Sequence, residues 1–72
     1  MNEKLKSRIR DIINQYFKIY DLTPEYQIND SNLIGELEKH VKEFLVTHYS
    51  YKEEIPDLKI KILEILAEGI CN

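Results

Sequence analysis

The sequence predicts an all-α fold, a small three-helix bundle with a further short helical turn at 24–28, and three observations carry that expectation. Apolar residues return at spacings of three and four through long segments, the period of an amphipathic helix. The stretches between those segments gather the residues that cap helices and turn chains. Only two glycines and two prolines interrupt 72 residues, and 43% of the chain is hydrophobic, a composition that argues against disorder.

Helix one is expected from Asn2 to about Tyr20, where Leu5, Ile9, Ile12, Ile13, Tyr16 and Tyr20 line one face and Glu3, Ser7, Asp11, Asn14 and Lys18 fall opposite. Asp21 to Asn32 breaks this pattern. Within it Thr23-Pro24-Glu25 offers a cap, a preset first-turn φ and an early acid, the basis of the short turn at 24–28. Asp30, Ser31 or Asn32 can each cap the following helix by accepting from a backbone N–H that has no partner inside it.

Helix two is expected from about Asn32 to Tyr49, with Leu33, Ile34, Leu37, Val41, Phe44 and Leu45 on one arc and Glu36, Lys39, Lys42 and Glu43 on the other. Gly35 falls on the polar side, where it costs about 1 kcal/mol of helix propensity relative to Ala. Tyr49 to Glu54 is a polar, aromatic connector that ends at Pro56. The last segment, Asp57 to Ile70, admits two readings at its start. Leu58-Lys59-Ile60-Lys61-Ile62 alternates like a strand, but the continuation does not, and a lone strand would have no partner in this chain. Helix is therefore expected, with Asp57, Lys61, Glu64 and Glu68 on an outer strip and Gly69 as the C-terminal breaker.

Seventy-two residues leave room for one hydrophobic core, hence one domain. A single cysteine, Cys71, permits no intrachain disulfide and suits a reducing compartment; with no apolar run near the ~18 residues a bilayer requires and no signal core at the N-terminus, a cytoplasmic protein is expected, without membrane partners. Net charge is −3, but residues 1–20 hold five Lys/Arg against two acids and residues 21–57 hold nine acids against three bases. That asymmetry suits either a partner or solvated helix faces. Lys4, Lys6, Arg8 and Arg10 flank the apolar stripe on both sides instead of forming one phosphate-facing row, so nucleic acid is not an expected partner.

Candidate chemistry is sparse. Glycines at 35 and 69 alone make no phosphate-binding loop, no Ser/His/Asp grouping has local support, and Cys71 has no second thiol near it in sequence. No enzyme activity, cofactor or metal is expected. His40 with Glu36 and Glu43 has a one-turn spacing that could present metal ligands, although solvated surface explains the same pattern; a helical metal protein would use His40 and His48. His48 sits on helix two's apolar arc near Phe44 and Leu45, either as a partner-binding or pH-sensitive position or as a histidine satisfied at the helix end. Five tyrosines without a tryptophan is a high share, and Tyr26, Tyr49 and Tyr51, with His48, are the candidate contact residues, tyrosine combining apolar area with a polar tip.

Three pieces, Ile9 to Phe17, Ile28-Asn29-Asp30-Ser31-Asn32-Leu33-Ile34-Gly35-Glu36-Leu37 and Glu53-Glu54-Ile55-Pro56-Asp57, resemble in order the opening helix, the approach to the pantetheine site and the entry to the third helix of acyl or peptidyl carrier proteins. The resemblance implies a helical bundle and a cofactor-bearing serine, for which Ser31, in the chain's only Asp-Ser pair, is the one candidate. The family's Gly-x-Asp-Ser-Leu motif is missing; Glu38-Lys39-His40-Val41 stands in its place. The leading expectation is accordingly a small non-enzymatic helical module that binds another protein or itself as a homodimer, ahead of a carrier-like module and a helical metal-binding protein.

Overall fold

The apolar periodicity of the N-terminal segment becomes helix α1, Glu3–Ile19, in a computed structural model that describes residues 3–22 and 30–68. The expected turn at 24–28, the breaker Gly69, Cys71 and Tyr26 all lie outside the described residues. Helix α1 buries Leu5, Ile9, Ile12, Ile13 and Phe17. Tyr20, placed on this buried face by its spacing, is 61% exposed. Phe17 takes the position instead, because the helix ends at Ile19 and the chain reverses there. Asp21 adopts a left-handed φ of 52°, its N–H donates to the Lys18 carbonyl at 3.3 Å, and the Leu22 N–H returns to the Phe17 carbonyl at 2.9 Å. This is a Schellman closure, and Leu22 packs half-buried on the core as that motif's apolar contact.

Helix α2 spans Ser31–Tyr49. Of the three residues able to cap it, Asp30 does so: its Oδ1 accepts from the Asn32 and Leu33 N–H groups at 3.1 Å each. The helix buries Ile34, Leu37, Val41 and Leu45, with Leu33 and Phe44 half-buried beside them. It stops at Ser50, which is left-handed (φ 55°) and donates to the Leu45 and Val46 carbonyls.

Helix α3 runs Leu58–Glu68, which decides between the two readings of its start. A strand would put Leu58, Ile60 and Ile62 on one face. Instead Leu58, Ile62, Ile65 and Leu66 are buried while Ile60 is 54% exposed. The entry is tight: Asp57 is left-handed, its carbonyl accepts from the Lys61 N–H at 3.0 Å, and the Lys61 ammonium donates to the Pro56 carbonyl at 3.0 Å.

Helix α2 packs against both α1 and α3, and the three faces meet in one core that contains no buried polar or charged side chain among the described residues. The α1 and α3 surfaces are tied at the rim, where Lys6 Nζ and Arg10 Nη2 donate to the two Glu68 carboxylate oxygens at 2.9 and 2.8 Å. With a radius of gyration of 11.3 Å the chain has the size expected of a closed domain of this length. No described helix is long and apolar enough to cross a membrane.

Candidate functional site

On α2 the buried row is Leu37, Val41 and Leu45, at one-turn spacing. His40, Phe44 and His48 repeat with the same spacing but sit one residue, or about 100°, further round the helix. That offset carries them out of the core and to the flank facing α1, where Tyr16 and Tyr20 form a row of their own. The two rows meet. Ring centroids lie 4.7 Å apart for Tyr20 and Tyr16, 5.1 Å for Tyr16 and His40, and 5.9 Å for His40 and Phe44. Phe44 then stacks on His48 at 4.0 Å with 27° between planes, and approaches Tyr49 at 6.3 Å. The result is a continuous strip of six rings along the α1–α2 seam.

The strip has a polarity. At one end the Arg8 guanidinium lies 4.4 Å over the Tyr49 ring, a cation–π contact made on the ring face. At the other end is Glu36, one turn before His40 on α2. The Tyr16 phenol there titrates above its ordinary value, because burial and then the neighbouring Tyr20 and Glu36 disfavour a second negative charge. Of the five exposed large apolar side chains among the described residues, three lie on or beside the strip, Tyr20, Tyr49 (40% exposed) and, next to Tyr20, Ile19 (75%), while Val46 and Ile60 lie off it.

The structure separates the residues singled out from the sequence. His48 is exposed, in contrast to its expected place on the buried arc, since the core runs through the row next to its own and α1 presents Arg8, not an apolar side chain, against that end of α2. Tyr49 and His48 both belong to the strip. Tyr51 does not: it packs back onto the core and lines a separate open groove of about 420 Å³ together with Lys42, Leu45, Val46, Glu54 and Ile55. His40 and His48 lie two turns apart, about 12 Å along the axis, with the Phe44 ring between them. Among the described residues no three His, Cys, Asp or Glu side chains are grouped so as to hold a metal ion. Ser31 is exposed as the first residue of α2, next to the capping Asp30.

Sequence reasoning missed Tyr16, Tyr20, His40 and Phe44 as a unit. The signal available was the four-residue spacing of His40, Phe44 and His48 beside that of Tyr16 and Tyr20; what it lacked was the knowledge that α1 and α2 run antiparallel, which brings position 16 to 40 and position 8 to 49.

The basic residues of α1 divide as their spacing implies. Lys6 and Arg10 turn towards α3, whereas Arg8 turns towards α2. Comparison with protein-family models, curated proteins and solved structures gave no match.

Proposed function

We propose that this chain is a non-enzymatic protein-binding module of the cytoplasm whose contact surface is the aromatic strip from Tyr20 to Tyr49. The observation that carries this reading is the strip's combination of continuity and exposure. A monomer gains little from leaving Ile19, Tyr20 and Tyr49 in water, whereas a partner that covers them buries apolar area around groups already held in one arrangement. Its composition of tyrosine, histidine, phenylalanine and an arginine stacked on a ring is that of protein interfaces and their energetically dominant residues. Ring-to-ring contacts also restrict the side chains before binding, which lowers the ordering cost of association.

The test is capture by immobilised wild type, by a Tyr20→Asp/His48→Asp double variant, and by an Ile60→Asp control on α3. A protein retained by wild type and the control but lost by the double variant fits the reading. Equal retention by all three overturns it.

One observation favours a second reading, a carrier-type module loaded on Ser31: this serine is the exposed first residue of α2, directly after an aspartate. Intact mass after incubation with a pantetheinyl transferase and coenzyme A tests it, and an unchanged mass disposes of it.

A further inference from the structure

We propose that the partner covering the aromatic strip is a second copy of the same chain, related by a two-fold axis that crosses the strip at right angles between His40 and Phe44. This rests on the reading of the strip as a contact surface and adds the identity of what covers it.

The argument is the strip's own charge layout. Of the charged side chains that act on its rings, Arg8 lies at one end and Glu36 at the other, with Lys39 exposed on the outer flank of α2 one turn from Glu36. A two-fold axis through its middle lays the strip antiparallel on itself, so that the Arg8 end of each copy meets the Glu36 end of the other, twice per dimer. A surface with one positive and one negative end is self-complementary under this operation alone, as an isologous contact requires. Arg8 is already positioned for the role. Its guanidinium lies on the Tyr49 ring face, 4.4 Å from the centroid, which leaves the in-plane N–H groups free to donate to a carboxylate. Lys4, exposed and one turn earlier on α1, strengthens the basic end. At the acidic end, the exposed Ile19 and Tyr20 lie on α1 beyond Tyr16 and provide the apolar area that the partner's Tyr49 and His48 would cover. Asp11 and Glu43, both exposed, fall level with the middle of the strip on its outer flanks and remain in the solvated rim. The alternative axis, parallel to the helices, brings Arg8 opposite the end of the partner's α2 that lacks Glu36, and so pairs neither charge.

The geometry makes an unusual prediction for charge reversal. In Arg8→Glu both charged contacts become Glu against Glu, and in Glu36→Arg both become Arg against Arg. Each variant alone should therefore associate at least about tenfold more weakly than wild type. Mixed one to one, the two variants form a heterodimer in which residue 8 (Glu) of one copy faces residue 36 (Arg) of the other, and residue 36 (Glu) faces residue 8 (Arg). Both contacts are restored. Sedimentation equilibrium of wild type, each variant and the mixture reads this directly, with far-ultraviolet circular dichroism confirming that each variant folds; Lys4→Glu replaces Arg8→Glu if the latter does not. The expected result is a concentration-dependent dimer for wild type, monomers for the single variants and a dimer for the mixture. A mixture no more associated than its components, or a wild type that stays monomeric at the highest attainable concentration, overturns the assignment. The monomeric outcome removes only the second copy as partner; the contact surface itself stands or falls on the Tyr20→Asp/His48→Asp capture.

Discussion

Ile60 and Ile62 are the same residue type two positions apart on one helix, and replacing each with Ala separates the helical account of residues 58–68 from a strand account. Ile62 has no exposed surface, and its side chain lies in the cluster formed by all three helices. Removing its outer carbons loses their transfer free energy and leaves a cavity that neighbours fill only in part, a cost of about 2–5 kcal/mol. A domain of this length has a total stability of roughly 4–11 kcal/mol at ~0.05–0.15 kcal/mol per residue, so Ile62→Ala removes a large share of it. Ile60 already exposes 54% of its surface. Its truncation loses less than about 1 kcal/mol of burial and regains a few tenths from alanine's better helix propensity. Urea unfolding followed by far-ultraviolet circular dichroism measures both; Ile62→Val, at a cost of about 0.5–1.5 kcal/mol, serves where the alanine variant is too unstable to fit. Equal losses at the two positions, or a greater loss at Ile60, would refute the reasoning, since a strand buries both.

Three further outcomes follow from local geometry. Asp30→Ala removes the acceptor of two N–H groups at the start of α2 and should cost about 1 kcal/mol, lowering the melting temperature by roughly 4–8 °C; an unchanged melting temperature contradicts the capping role. Gly35→Ala should raise stability by up to about 1 kcal/mol, because the added methyl meets nothing within 4 Å and alanine is the better helix former. Glu68 is held below its ordinary pKa of 4.5 by the Lys6 hydrogen bond, with Arg10 adding to it. Its folded-state value being the lower one, its stabilising contribution is present above the ordinary value and is lost as pH falls through that value towards the depressed one. The unfolding midpoints of wild type and Glu68→Gln should therefore differ at neutral pH and converge in acid; a difference constant with pH excludes the linkage.

The helices could be read from the sequence because helical periodicity is a local property. Leu5, Ile9, Ile12 and Ile13, or Ile34, Leu37, Val41 and Leu45, mark a face without reference to any other part of the chain, and these eight are all buried. Errors arose at the ends of elements. Tyr20 continues the spacing of α1 but comes after the last helical residue, where the Asp21 reversal sends it outwards, and the core position passes to Phe17. Boundaries of this kind depend on which backbone groups close the last turn, and periodicity carries no record of that.

The aromatic strip was harder to foresee for a different reason. Its two halves are amphipathic flanks on separate helices, each ordinary in isolation, and only the antiparallel packing of α1 on α2 joins them. A histidine adjacent to an apolar row looks buried on a helical wheel; whether it is depends on what the neighbouring helix presents there. Opposite His40 that is Tyr16, which leaves the imidazole half-covered. Near His48 it is Arg8, a side chain that keeps its charge in water, and His48 is exposed. The division of Lys6, Arg8 and Arg10 between α3 and α2 followed from sequence because it depends on angle alone: Arg8 and Arg10 are about 200° apart on the helix and cannot face one neighbour.

The contact between α1 and α2 underlies both the fold and the strip, and inter-residue proton NOEs test it most directly. Helical chemical shifts over 3–19, 31–49 and 58–68, with NOEs from the Tyr16 ring to His40 and from the Tyr49 ring to the Arg8 side chain, are the predicted result. Extended shifts through Leu58–Ile62, or a Tyr16 ring with NOEs to α3 and none to His40, would contradict it.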